Sequence, residues 1–245
     1  MKAKLITLPN IITLANLLCG TLGIISMVSL QSAGALRVAF VLMLAAALFD
    51  FLDGFVARLT GQYSPVGAQL DSLADMVSSG VAPTAVMLTL AWQAGSSWWA
   101  ADTGGPWSWI VLLLAVGTAL RLAKFNIDDT QRTEFCGLPS PAAAMLCASL
   151  GMLAECYGLT LLRETVLAVA VVVGLLMISD VRMFALKFHG FGWKGNELRY
   201  GFIIAAVVTA VLLRGYAVPA IIVLYILVSL VRGLACRTKG CGKAE

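Results

Sequence analysis

Four aspartates stand inside apolar sequence. Asp50 and Asp53 belong to the run Asp50-Phe51-Leu52-Asp53-Gly54-Phe55-Val56-Ala57-Arg58, and Asp71 and Asp75 follow a short connector. Ionisable side chains within apolar spans are costly and mark function by default. Asp50 and Asp53 are spaced i, i+3, and Asp71 and Asp75 i, i+4, so each pair shares one helix face. The connector, about 60–66, contains Gly61 and Pro65 and predicts an antiparallel hairpin that turns the two pairs toward each other. Four carboxylates at close range cannot all stay ionised without compensation. Arg58 supplies one positive charge, and a divalent metal is the natural remainder. Hard oxygen ligands favour Mg²⁺, Mn²⁺ or Ca²⁺ over zinc. Two such ions would stabilise the attacking and leaving oxygens of a phosphoryl displacement. Gly54 and Ala57 keep the same helix free of bulk, which admits either a neighbouring helix or a flat ligand.

The elements that carry these residues must be membrane helices. Of the 245 residues, 60% are hydrophobic and 12% charged, with mean hydropathy +0.92. Soluble domains carry about 25% charged residues, so lipid is the solvent for much of this chain. Spans of roughly 20 apolar residues qualify as membrane helices. The expected class is an all-α polytopic membrane protein with about eight helices, near 10–31, 36–59, 68–92, 106–125, 139–157, 160–180, 199–214 and 217–235. The last two are expected to form a tight hairpin around Gly215. Residues 1–245 form one integral membrane domain, with no polar stretch long enough for a separate soluble one. Lys2 and Lys4 before an apolar run resemble a signal peptide, but no small-residue cleavage site follows, so the run reads as a retained span. None of the six cysteines forms a CxxC pair. Basic residues occur singly or in pairs between apolar spans, which argues against nucleic acid as a partner.

Charge sets the orientation. With the N-terminus inside, only Arg37, Arg163 and Arg214 of the 17 Lys and Arg fall on the outer side. The other fourteen fall on the inner side, so both termini and the aspartate ends are expected in the cytoplasm. Trp98, Trp99 and Trp107 suit an outer interfacial belt.

The pattern Asp50-x2-Asp53-Gly54-x2-Ala57-Arg58-x8-Gly67-x3-Asp71-x3-Asp75 resembles the signature of the CDP-alcohol phosphotransferases. All eight of its fixed positions, over 26 residues, are filled. The resemblance implies a six-helix core, usually in a homodimer, with two divalent cations, Mg²⁺ or Mn²⁺, at a site open to cytoplasm and lipid. It implies that Asp50, Asp53, Asp71 and Asp75 are metal ligands and that Asp75 is also the general base. It makes Gly54, Ala57 and Arg58 contacts to cytidine and diphosphate, and Gly67 the glycine that admits the nucleotide. Ser64 and Asn10 would add hydrogen bonds to the nucleotide, although Asn10 also reads as a polar cap at a helix start.

Other segments narrow the branch. Leu8-Pro9-Asn10-Ile11-Ile12-Thr13-Leu14-Ala15-Asn16, Leu120-Arg121-Leu122-Ala123-Lys124-Phe125-Asn126 and Gly137-Leu138-Pro139-Ser140-Pro141-Ala142-Ala143-Ala144 together resemble the membrane-embedded phosphatidylserine synthases of bacteria and archaea. That likeness covers most of residues 8–190, the expected catalytic core, and leaves 199–235 as an additional helix pair. It implies CDP-diacylglycerol as donor, L-serine as acceptor and the cell's inner membrane as location. Lys124 stands where arginine is more usual, which keeps the charge but loses the bidentate fork. Serine's carboxylate calls for a cation. Arg121, Lys124 and Arg182, with Asn126 and Ser140 nearby, are the candidates, against a reading in which these cations only snorkel to the interface. Another acceptor, such as glycerol phosphate, inositol phosphate or choline, would suit the same aspartates. A transporter would also explain intramembrane carboxylates, but no second copy of the motif is present.

Overall fold

The computed structural model describes residues 6–30, 34–94, 106–127, 135–183 and 196–238. Trp98 and Trp99 of the expected belt lie outside them. All eight expected apolar helices are present. Helix α1 is Leu8–Leu30, α2 is Ala35–Thr60, α3 is Pro65–Asp75 and α4 is Ala82–Gln93. Helix α5 is Leu113–Ile127, α6 is Ser140–Tyr157, α7 is Arg163–Ile178, α8 is Glu197–Leu213 and α9 is Ala217–Thr238. The expected third helix is α3 and α4 joined by a π-helical segment, Met76–Val81. The expected fourth begins as a 3-10 helix, Pro106–Leu112. Two-residue strands β1 (Phe135–Cys136) and β2 (Arg182–Met183) pair antiparallel, Cys136 opposite Arg182, and do not alter the all-α class.

Five stretches are long and apolar enough to cross a membrane: 8–29, 35–60, 65–93, 106–127 and 199–233. The last is not one straight helix. Arg214 turns the chain with φ 45°, a 3-10 turn spans Arg214–Tyr216, and Phe202 of α8 packs edge-on against Tyr225 of α9 at 5.9 Å. It is therefore the expected hairpin. The chain is an integral membrane protein. Its exterior agrees, because Leu48, Phe51, Val172, Leu175, Val211 and Leu212 are all exposed, which only lipid makes favourable when so many apolar side chains face outward.

The core lies between α2, α4, α6 and α7, where Met43, Val86, Met87, Cys147, Val173 and Met177 are buried together. Helix ends receive side-chain partners, as a low-dielectric solvent requires. The Glu155 carboxylate accepts from the backbone N–H of Gly34 and, at 2.6 Å, of Arg37, at the start of α2. Arg163 donates to the carbonyls of Ala91 at 3.0 Å and Ala94 at 3.4 Å, at the end of α4.

The turn between α2 and α3 is set by local chemistry. Gly61 ends α2 in the left-handed region at φ 63°, which costs a residue without Cβ little. Ser64 then caps α3, its Oγ accepting from Gly67 N at 2.9 Å, and Pro65 opens the helix. Helix α1 is held against the π-helical segment by close backbone approach. A Cβ on Gly20 would lie 2.7 Å from Ser78 Cα, inside van der Waals contact. Gly20→Leu should therefore force α1 off Ser78 and destabilise the fold by about 1–3 kcal/mol. Thermal unfolding in detergent checks this, and an unchanged midpoint would contradict it.

Candidate active site

The hairpin matches the depths of the two aspartate pairs. Asp50 and Asp75 each stand ten residues from the turn, counted from Thr60 and Pro65, and Asp53 and Asp71 stand seven and six residues from it. At about 1.5 Å rise per residue, this places one carboxylate of each helix near 15 Å from the turn and the other near 10 Å. Carboxylate oxygens of Asp50, Asp53 and Asp71 accordingly lie within 4.8 Å of one another. Asp75 lies beside Asp50, close enough for the two carboxylates to interact electrostatically. Asp53 is buried at 6% exposure, and the other three are half-buried.

Such a cluster suits a divalent cation. Its donors are all hard oxygens. Asp71 Oδ1 is buried with no hydrogen-bond partner in the protein. Burying an unsatisfied carboxylate oxygen is expensive unless a cation meets it. The cluster can therefore hold metal.

Helix α1 supplies contacts that residue spacing within α2 and α3 does not show. Thr13 Oγ1 donates to Asp53 Oδ2 at 2.6 Å. Asn16 Nδ2 donates to Asp75 Oδ1 at 3.3 Å. Asn10, Thr13 and Asn16 are all buried, at 3%, 3% and 0% exposure. Their spacing of three along an apolar span is the sequence signal for them, and only Asn10 was expected to take part. Asn10 does not cap α1, because Thr7 does so, its Oγ1 accepting from Asn10 N at 3.4 Å. The Asn10 side chain instead reaches α3: a Cβ on Gly67 would meet Asn10 Oδ1 at 3.0 Å and Ser64 Oγ at 3.1 Å. Asn10, Ser64 and Gly67 thus lie together. Beside them a cavity of about 440 Å³ is lined by Ile6, Thr7, Leu8, Gln62, Tyr63 and Ser64.

Gly54 faces open space. A Cβ there would meet only Arg58 Nη1, at 3.7 Å, so among the described residues no other helix packs on it. Ala57 is half-buried and Arg58 exposed, on the same stretch of α2.

The cationic candidates divide. Arg121 is half-buried, donates from Nη1 to Ser140 Oγ at 2.7 Å, and its charge acts on Asp75 and Tyr225 through space. Lys124 Nζ meets Asp180 Oδ1 at 2.8 Å, with both side chains largely exposed. Asn126 Nδ2 donates to Ser72 Oγ at 2.9 Å, which ties the end of α5 to α3. Arg182 contributes its backbone to the β1–β2 pairing, and its side chain lies outside the described residues. The structure therefore joins Arg121 to Ser140, and it brings Lys124 and Asn126 to Asp180 and Ser72. Tyr225 of α9, which the sequence did not single out, is buried at 9% exposure beside Arg121.

The sequence that builds this site is similar to that of known proteins. The family described as CDP-alcohol phosphatidyltransferase matches residues 6–177, from before α1 to the end of α7. The CDP-diacylglycerol–serine O-phosphatidyltransferase of Methanocaldococcus jannaschii is 36% identical over 179 residues, 73% of this chain and 74% of that one. The enzyme of the same name from Helicobacter pylori is 33% identical over 181 residues, 71% of this chain and 70% of that one. The archaetidylserine synthase of Methanothermobacter thermautotrophicus is 36% identical over 146 residues, 59% of this chain but only 57% of that one. The match contains the facing aspartate pairs and the α1 residues that hold them, and this chain belongs to the CDP-alcohol phosphatidyltransferase family.

Proposed function

We propose that this protein transfers the phosphatidyl group of CDP-diacylglycerol to the hydroxyl of L-serine, releasing CMP. The observation that carries the reading is the meeting of Asp50, Asp53 and Asp71 within 4.8 Å, with Asp75 alongside. The names of the relatives from M. jannaschii and H. pylori support serine as acceptor.

In this reading Asp50, Asp53, Asp71 and Asp75 hold two divalent cations, Mg²⁺ or Mn²⁺, and Asp75 has a second role as base. The chemistry such ions supply is neutralisation of the diphosphate and of the charge on departing CMP. Gly54 leaves room for the nucleotide against α2, and Arg58 and Ala57 line the same stretch. Asn10, Ser64 and Gly67 flank the nucleotide from α1 and α3. Thr13 holds Asp53 in one rotamer, and Asn16 does the same for Asp75. Asp75 takes the proton of the serine hydroxyl. The serine oxygen bonds to the lipid-linked phosphorus, and the bond from that phosphorus to the CMP oxygen breaks. Positioning and fixed charge supply most of the acceleration, as in other phosphoryl transfers. Arg121, oriented by Ser140, takes the serine carboxylate. Lys124, Asn126 and Arg182 contribute to the shape and charge of the same end.

The protein works in the cell's inner membrane as a homodimer, with both termini and the aspartates on the cytoplasmic side. The fourteen-to-three distribution of basic residues supports that orientation. Residues 8–190 make the catalytic core and 199–235 an added helix pair, a division supported by the family match ending at 177.

Purified protein given CDP-diacylglycerol and labelled serine should place label in chloroform-soluble lipid. Asp75→Asn should lower that turnover by about 10²–10⁴-fold, the range for loss of a general base. Equal turnover by the variant would remove Asp75 from the chemistry. Arg121→Ala should raise the serine KM by about tenfold or more, the worth of a charged hydrogen bond, and leave the KM for CDP-diacylglycerol near its original value. An unchanged serine KM would overturn the carboxylate assignment.

A further inference from the structure

The cavity of about 440 Å³ opens where the turn between α2 and α3 meets the start of α1. Gln62, Tyr63 and Ser64 come to it from the turn, and Ile6, Thr7 and Leu8 from the other side. None of these described lining residues is charged. They supply an aromatic ring, a carboxamide, two hydroxyls and two aliphatic side chains. Tyr63 is 71% exposed and Gln62 is exposed too, so a ligand arriving from outside the protein meets both. Ser64 Oγ accepts from Gly67 N and Thr7 Oγ1 from Asn10 N, which leaves each hydroxyl its proton to donate.

An uncharged wall does not suit a diphosphate or a free carboxylate, which call for cationic side chains or a metal. It suits a neutral, flat group with a polar edge. Position narrows the choice. Ser64 belongs both to this cavity and to the cluster with Asn10 and Gly67. Asp53 and Asp71 stand about 10 Å from the turn along α2 and α3. A nucleotide whose phosphates sit at the aspartates carries its base over a comparable distance, far enough to reach the turn.

We propose that this cavity seats the pyrimidine ring of the nucleotide donor, with Tyr63 stacked on the ring face and Gln62 hydrogen-bonded to its edge. The inference rests on the CDP-activated donor given above and deepens it. Aromatic side chains hold bases by stacking on their faces. The edge of cytosine sets an amino donor beside a ring acceptor, and a carboxamide answers with one acceptor and one donor. Gln62 and Tyr63 fall among the eight unspecified positions between Arg58 and Gly67. The base is thus held by residues that the aspartate signature does not name.

The test is calorimetric titration of CMP, and separately of ribose 5-phosphate, into the full-length protein in detergent with Mn²⁺ present. CMP should bind the unmutated protein at least about fivefold more tightly than ribose 5-phosphate, which lacks the base. Tyr63→Ala should weaken CMP by about fivefold or more and leave ribose 5-phosphate unchanged, and Tyr63→Phe, which keeps the ring, should restore CMP. Gln62→Leu should weaken CMP by about twofold to tenfold, the worth of a neutral hydrogen bond. Unchanged CMP binding in Tyr63→Ala, or equal weakening of both ligands, would overturn the proposal while leaving the CDP-activated donor in place. Equal binding of CMP and ribose 5-phosphate by the unmutated protein would overturn it without recourse to any variant. Absence of CMP binding to the unmutated protein would instead remove the nucleotide donor, and this inference with it.

Discussion

The close approach of four carboxylates in a low-dielectric setting is the constraint on which the rest of the structure depends. Like charges in such a medium repel strongly, and isolated ionised groups are costly to bury. The cluster persists because every nearby element contributes to its compensation. Thr13 and Asn16 donate to it from α1, Arg121 brings positive charge from α5, and the remaining oxygens are suited to cations. The tight turn from Gly61 to Pro65 makes the cluster geometrically possible by aligning the two pairs at matched depth.

Holding α1 and α5 at the cluster requires close helix contacts, and small residues supply them. Gly20 admits the Ser78 backbone. At the α5–α7 contact, a Cβ on Gly117 would meet the Gly174 carbonyl at 3.0 Å, so backbones approach as small residues allow in membranes. The π-helical segment Met76–Val81 begins immediately after Asp75. Its widened turn is the kind of irregularity that recurs at functional sites. Here it shifts the register of the helix between the last aspartate and the buried stretch of α4. The C-terminal pair is not merely appended, because Tyr225 of α9 reaches the core and Arg121.

Much of this was legible in the sequence for identifiable reasons. Helix spacing put Asp50 with Asp53 and Asp71 with Asp75, and Gly61 and Pro65 announced the turn that joins them. Long apolar runs separated by charge gave the eight helices. What the sequence left unread depends on contacts between distant segments. The bonds from Thr13 to Asp53 and from Asn16 to Asp75 cross 40 and 59 residues, and periodicity within α1 marks a polar stripe without naming its partners. The π-helical segment is made largely of weak helix formers, Val77, Ser78, Ser79, Gly80 and Val81, but that composition does not name a π turn, and its close approaches to Gly20 and Thr118 come from distant parts of the chain. The pairing of Lys124 with Asp180 spans 56 residues, so spacing within α5 does not show it.

The most direct test of the central claim is a titration of the metal-free protein with Mn²⁺ in detergent, followed by electron paramagnetic resonance. Saturable binding that is competed by Mg²⁺ and lost in Asp53→Asn and Asp71→Asn is the expected result. Binding that is absent from the unmutated protein, or equally strong in both variants, would contradict a metal site built on the facing aspartates.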